Sequence, residues 1–160
     1  MRKAAFCGTF DPITLGHLDV IKRASRIFEE VVVFVAPNSL KNQMFSEAQR
    51  RQWIEEACAD LDNVTVRVQH GLTADACRQA GVHVLIRGIR NENDFSYEQN
   101  MDFMNHEIDE NLDTICFFTR PEYQYCSSSN VKELLKYHQD ISHFVPDCVW
   151  KGVKNNENFD

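Results

Sequence analysis

Apolar runs alternate along the chain with segments of helical period, the pattern of strands joined by crossover helices in a parallel sheet. KAAFC, residues 3 to 7, reads as the first strand. A helix follows near residues 16 to 28, with Val20, Ile21, Ala24, Ile27 and Phe28 on one apolar stripe. VVVFVA at 31 to 36 is the second strand. Ser46, with Gln49 three positions on, reads as a capping box opening a helix whose Ile54, Ala57, Cys58 and Leu61 share a face. VTVRV is a third strand, TADACRQAG a short helix closed by Gly81, and VHVLIRG a fourth strand. Tyr97, Met101, Met104 and Ile108 stripe another helix, and TICFFT is the fifth strand. The next helix begins at three serines and buries Val131, Leu134 and Leu135. After Asp140 the pattern weakens, and residues 151 to 160, ending in KNNENFD, read as a frayed polar tail.

A chain of 160 residues that is 43% hydrophobic supports one domain with a substantial core, and no repeat, linker or low-complexity stretch divides it. Residues 1–160 therefore read as a single α/β domain: a doubly wound, Rossmann-like, five-stranded parallel sheet with helices on both faces. Such sheets bind ligands beyond the carboxyl ends of their strands, where the strand order reverses. The formal charge of -7, from 17 basic and 24 acidic side chains, opposes nucleic acid as a partner and leaves room for a small nucleotide. Six scattered cysteines lack the spacing of a zinc site or the density of a disulfide scaffold, which predicts reduced thiols in a cytoplasm. No apolar run is long enough to cross a bilayer, so a soluble cytoplasmic protein with no membrane partner is expected.

The loops after the strands carry a consistent chemistry. They hold Gly8, Thr9, Phe10 and Asp11; Asn38, Ser39 and Lys41; Leu72 and Thr73; Arg87, Gly88 and Arg90; and Ser127, Ser128 and Ser129. Cations, hydroxyls and helix N-terminal amides at one edge suit a ligand with several phosphates. Gly8 allows close approach of a ligand, Asp11 and Pro12 make a turn, and His17 enters the first turn of a helix. An isolated histidine beside an apolar stripe is ordinarily a core residue. The Gly-Thr-Phe-Asp-Pro turn before His17 favours a functional one. His70, His83, His106, His138 and His143 show no metal-ligand spacing, so no metal is assigned to protein side chains. Tyr97, Met101, Phe103 and Met104 read as core or subunit interface rather than a cofactor box, and HEIDENLD, residues 106 to 113, as a solvated helix end. The absence of G-x-G-x-x-G and of a Walker lysine loop argues against a dinucleotide oxidoreductase and a phosphate-loop kinase.

GTFDPITLGH, residues 8 to 17, resembles the signature of the nucleotidyltransferases with a (H/T)xGH motif, here TLGH at 14 to 17. The serines at 127 to 129 resemble the second, C-terminal phosphate-binding motif of that superfamily. LIRGIRNENDFSYE, residues 85 to 98, together with chain length and motif spacing, resembles the bacterial phosphopantetheine adenylyltransferase family, over nearly the whole chain to about residue 149. The resemblance implies attack of the phosphate of 4'-phosphopantetheine on the α-phosphorus of ATP, giving dephospho-coenzyme A and pyrophosphate. It implies a catalytic set of His17, Lys41 and Arg90, with His17 stabilising the transition state. Thr9, Lys41, Thr73 and Arg87 would contact the pantetheine substrate. Thr9, Phe10, His17, Gly88, Ile89, Arg90, Glu98, Tyr123, Gln124, Tyr125, Cys126, Ser127, Ser128 and Ser129 would contact ATP. Mg2+ on the phosphates, a homohexamer and coenzyme A as feedback inhibitor are further implications of the resemblance.

Cys7 and Cys126 stand where the family often has proline and isoleucine, and Asn42, Gln43 and Thr73 also vary, so the pantetheine arm is less closely matched than the ATP side. Two alternatives stay open at this point. One is a related nucleotidyltransferase acting on nicotinamide mononucleotide or a polyol phosphate. The other is a non-catalytic oligomer that binds adenine nucleotide.

Overall fold

The computed structural model describes residues 2–37 and 42–156. Asn38, Ser39 and Lys41, all assigned to the site above, lie outside the described residues. The elements in order are β1 (Lys3–Gly8), α1 (Leu15–Ser25), β2 (Glu30–Val35), α2 (Glu47–Ala57), β3 (Val64–Val68), α3 (Thr73–Ala80), β4 (Val84–Ile89), α4 (Glu92–Ile108), β5 (Asp113–Phe118), a 3-10 turn (Pro121–Tyr123), α5 (Ser128–Lys136) and α6 (Asp147–Asn155). The five strands lie in the order β3-β2-β1-β4-β5, all parallel. The doubly wound α/β sheet expected from the sequence is the fold observed.

Period-two alternation sorts the central strands between two layers. Ala4 and Phe6 of β1, with Val31, Val33 and Val35 of β2, join the larger cluster under α1, α2, α5 and α6. Ala5 and Cys7, with Val32 and Phe34, join Ala74, Ala76 and Cys77 of α3 on the other face. The chain winds outward from β1 to β3, then crosses back to lay β4 against the free side of β1. β1 is paired with β2 along all six residues, from Lys3 opposite Glu30 to Gly8 opposite Val35. Its recorded register pair with β4 is Ala5 opposite Leu85. The strand order therefore reverses between β1 and β4, and a crevice opens there between the carboxyl ends.

Helix boundaries explain where the apolar stripes depart from expectation. α1 stops at Ser25 with Arg26 as its C-cap, so Ile27 leaves the stripe and is 63% exposed, while Phe28 still turns inward. Gly81 ends α3 with φ 65°, a left-handed cap that favours glycine. On α4 the expected stripe is turned outward: Tyr97, Met104 and Ile108 are exposed, as is Phe103, and the buried residues are Glu98 and Asn105. The polar face points at β4 because Glu98 has a cationic partner there. Ile115 and Phe118 of the edge strand β5 are exposed as well, and by the period-two alternation of the strand Phe118 is on the α4 side of the sheet and Ile115 on the other.

The tail expected to fray from residue 151 is instead helical through Asn155. α6 is seated on α2, with Val149 and Val153 in the main cluster and Gly152 against the buried indole of Trp53. Val149 and Val153 are one helical turn apart, a signal too short to register as a stripe. A Cβ added at Gly152 would stand 2.7 Å from Trp53 Nε1 and 2.9 Å from its Cζ2. The rigid ring has no flexible end to move aside, so overpacking outweighs the gain in helix propensity. Gly152→Ala is expected to lose about 1–2 kcal/mol of stability, read as a lower urea midpoint with an unchanged slope; an unchanged midpoint would show that α6 is not seated as described.

Candidate active site

The loop after β1 is shaped by aromatic packing and a buried carboxylate. Phe10 has φ 46°, a left-handed conformation rare outside glycine, and its buried ring packs edge-on against Phe6 and His17 at centroid distances of 5.3 and 5.1 Å. The same ring leaves no slack at Gly8, where a Cβ would meet it at 3.3 Å. Asp11 does more than make a turn: its carboxylate accepts the backbone N–H groups of Met44 and Phe45, at 2.9 Å each, and lies 3.4 Å from Lys132 Nζ. Ser128 Oγ donates to the Pro12 carbonyl at 2.8 Å, tying the start of α5 to this loop.

His17 is the third residue of α1 and forms a reciprocal cap with Thr14. Its backbone N–H donates to Thr14 Oγ1, while the Thr14 backbone N–H donates to His17 Nδ1 at 3.0 Å. Thr14 Oγ1 in turn donates to the Cys126 carbonyl at 3.1 Å. A capping box is expected from the sequence at Ser46 and Gln49; there Ser46 accepts the Gln49 N–H, and the box with both halves made is at α1. An acceptor at Nδ1 assigns the ring proton to Nε2. Burial, helped by the positive charges of Arg87 and Arg90, lowers the imidazole pKa from 6.5 to about 4. His17 is therefore neutral at pH 7, with Nδ1 committed and Nε2–H available as a donor.

Both strand-end arginines are held by carboxylates from α4. Arg87 donates from Nε and Nη2 to the two oxygens of Glu98, at 2.7 Å each, and from Nη1 to the Cys7 carbonyl. Burial works against its charge, but the Glu98 hydrogen bonds and charge outweigh that and raise its pKa. Three of its five N–H groups are thus used, leaving one on each terminal nitrogen. Arg90 donates from Nε and Nη2 to Asp94 at 2.8 and 3.2 Å, and its backbone N–H reaches the same carboxylate at 3.0 Å. Burial pushes Asp94 up, but the Arg90 hydrogen bonds win and hold its carboxyl below the usual range. Asp94 and Glu98 are four apart, so one helical face supplies both counter-charges.

Two adjoining cavities, of about 290 and 340 Å³, open at the β1/β4 switch point and share Cys7, Gly8, Thr9, Arg87 and Glu98 as a common wall. Phe10, Gly16, His17, Gly88, Arg90, Asp94, Thr119, Tyr123, Cys126 and the three serines line the first. Ala36, Pro37, Thr73, Tyr97, Met101 and Asn105 line the second. Thr73 Oγ1 accepts from Gln69 Nε2 at 3.1 Å, which leaves its own hydroxyl proton to point elsewhere. Ser127 caps α5 by accepting the Asn130 N–H at 3.1 Å, and the helix presents its first-turn amides beside Ser128 and Ser129. Among the residues named from the sequence, Ile89, Gln124 and Tyr125 do not line either cavity, and Tyr125 is 71% exposed. Asp94 and Thr119 join the site without having been expected there; the spacing of Asp94 and Glu98 behind two arginines is the signal that could have found Asp94. Among the described residues no group of three or more His, Cys, Asp or Glu side chains is placed to hold a metal ion.

Residues 5–134 match the model of the cytidylyltransferase-like family. The chain is 44% identical over 153 residues to the phosphopantetheine adenylyltransferase of Levilactobacillus brevis, covering 96% of this chain and 95% of that one. It is 42% identical over 158 residues to that of Lachnoclostridium phytofermentans, covering 99% and 97%. It is 44% identical to that of Frankia casuarinae, covering 96% and 97%. The crystal structure of a putative nicotinate-nucleotide adenylyltransferase from Vibrio parahaemolyticus shares the fold, with a TM-score of 0.74 at 20% identity and coverage of 99% of this chain and 95% of that one.

The state of His17 is directly measurable. Its ring resonances are expected to stay fixed from pH 8 to pH 5 and to move with a midpoint near 4, because protonation must break the Thr14 hydrogen bond and charge a buried ring. A midpoint near 6.5 would contradict the neutral, Nε2-protonated assignment.

Proposed function

This chain belongs to the cytidylyltransferase-like family and, within it, to the phosphopantetheine adenylyltransferases, and from that membership we propose that it transfers AMP from ATP to 4'-phosphopantetheine, giving dephospho-coenzyme A and pyrophosphate. One observation supports this reading above the others: two ligand-sized lobes meet at Thr9 and Arg87, with His17 beside the junction. The first lobe would take ATP, against Thr9, Phe10, His17, Gly88, Arg90, Glu98 and the start of α5. The second would take the pantetheine arm, against Thr73, Tyr97, Met101 and Asn105, with its phosphate directed to Thr9, Arg87 and Lys41.

In the reaction an oxygen of the acceptor phosphate forms a bond to the α-phosphorus, and the bond from that phosphorus to the bridging oxygen breaks, its electron pair leaving with pyrophosphate. The nucleophile is already an anion at neutral pH, so no strong general base is required. What the site must supply is alignment and fixed donors for the negative density on the five-coordinate phosphorus. The neutral His17 meets that requirement, since it offers Nε2–H as a hydrogen-bond donor while its pKa of about 4 makes it a poor acceptor of a proton. Arg90 and Lys41 complete the catalytic set.

The donor set fits Mg2+ carried on the substrate phosphates rather than caged by the protein, since Mg2+ keeps several waters and uses few carboxylates; bound there it would neutralise phosphate charge. The exposed apolar surface of α4 and β5 supports assembly into a homohexamer. A cavity pair able to hold nucleotide and pantetheine together supports feedback inhibition by coenzyme A. Six free cysteines, and among the described residues no helix long and apolar enough to cross a membrane, agree with a cytoplasmic location.

Pyrophosphate release from ATP is expected with 4'-phosphopantetheine and not with nicotinamide mononucleotide or a polyol phosphate. Release with either of the latter would reassign the acceptor, and ATP binding without release from any acceptor would mark a nucleotide-binding protein instead. His17→Ala is expected to lower kcat by about a hundredfold or more, the usual scale for losing a preorganised donor, with ATP affinity changed much less. Unimpaired turnover in that variant would remove His17 from the catalytic set.

A further inference from the structure

Three carboxylates follow one another at successive turns of α4: Asp94, Glu98 and Asp102. Asp94 holds Arg90, and Glu98 holds Arg87. Asp102 is half-buried and lines the second cavity, yet among the described residues it has no hydrogen-bond or ion-pair partner. Asn105, at the next turn, is 8% exposed and lines the same cavity, and its side-chain amide likewise has no partner among the described residues. Neither Asp102 nor Asn105 lines the first cavity.

A carboxylate left free in a cavity wall constrains whatever covers it. A ligand lying against it strips water from a charge, and only one that brings a hydrogen-bond donor replaces what is lost. The other charged groups on the described wall of this lobe, Arg87 and Glu98, neutralise each other, so Asp102 makes that wall negative. A second negative group placed beside it would be repelled. Along the helix axis Asp102 lies about 6 Å beyond Glu98, and Asn105 about 10 Å beyond. An acceptor with its phosphate at Arg87 and its arm along α4 therefore passes Asp102 with its middle section, where pantetheine carries N–H and O–H donors and no charge.

We infer that Asp102 is a specificity-determining residue of the second lobe: its free carboxylate accepts a hydrogen bond from an amide or hydroxyl of the acceptor arm and excludes acceptors whose arm ends there as a carboxylate. This rests on the reading of the second lobe as the acceptor site. The choice lies between two chemical classes that carry the same phosphate, a neutral arm continued through an amide and an acid that stops short of it. Arg87 and Thr9 cannot make this choice, because both ligands offer them the same group.

The probe is 4'-phosphopantothenate, which ends in a carboxylate where 4'-phosphopantetheine continues through an amide. Both acceptors are compared on the full chain, by kcat/KM from pyrophosphate release and by Kd from calorimetry. Asp102→Asn keeps the size of the side chain and one acceptor oxygen. In that variant use of the acid is expected to improve about tenfold, as a like charge is removed, while use of 4'-phosphopantetheine falls by no more than about threefold. Asp102→Ala should bring the same gain for the acid but cost 4'-phosphopantetheine about fivefold, because the acceptor oxygen is gone as well. The Kd for ATP should not change in either variant. Added salt should narrow the preference of the wild type and leave that of Asp102→Asn flat, since only the wild type has a charge to screen. A ratio between the two acceptors that is the same in wild type and both variants, or a salt dependence that persists in Asp102→Asn, would overturn the inference. Binding distinguishes the two ways of failing. Wild-type protein that binds 4'-phosphopantetheine with an unmoved ratio defeats the role of Asp102 alone, whereas wild-type protein that does not bind it defeats the acceptor reading and this inference with it.

Discussion

The fork between Arg87 and Glu98 is the interaction on which the geometry of the site depends. It joins β4 to α4, and the third hydrogen bond from the same guanidinium, to the Cys7 carbonyl, joins β4 to β1 beyond the point where their register pair ends. Breaking a pair this well buried by removing one partner strands the other charge, a loss on the order of 3–5 kcal/mol. In a doubly wound sheet the connections leaving neighbouring strands diverge at the switch point; here an arginine stands at that divergence and becomes a wall common to two lobes.

Charge balance at that wall follows from the pairings. Arg87 and Arg90 are matched by Glu98 and Asp94, so the described part of the cavity is close to neutral although it looks cationic in the sequence. An incoming polyphosphate therefore has to share arginine N–H groups with carboxylates rather than meet bare cations. A site arranged in this way discriminates by the number and direction of donors, and gains from further positive charge arriving with the ligand or from Lys41.

Much of this is legible in the sequence alone, and the failures have physical causes. VTVRV and the Gly81 cap can be read to the residue, because a period-two run and a left-handed glycine are local signals. The convergence of the loops after β1, β3 and β4 with the start of α5 is also legible, since parallel topology places every strand's carboxyl end at one edge. α4 is legible only in part, because a period of 3.6 finds an apolar face, read from the sequence as core or subunit interface, without saying whether it meets the sheet; the pull of Glu98 on Arg87 turns the polar face to the sheet. Arg50 of α2 carries no local signal of its burial; only the tertiary placement of the Thr9 and Ala36 carbonyls and the Gln43 side chain around its guanidinium accounts for it. α6 escapes sequence reading because its burial depends on a partner, Trp53, about a hundred residues earlier in the chain.

The cap shared by Thr14 and His17 ties two properties to one nitrogen lone pair. The unfolded chain takes up a proton on this imidazole near pH 6.5, whereas the folded chain refuses it until about 4. Between those values acid selectively favours the unfolded chain, so the contribution of His17 to stability is whole above pH 6.5 and drains away as pH falls toward 4. The proton that finally binds also evicts the Thr14 amide from Nδ1 and unpins the first turn of α1. Acidification thus charges the imidazole and loosens its footing in a single event, and no substitution at position 17 can separate the two unless it keeps a lone pair facing Thr14.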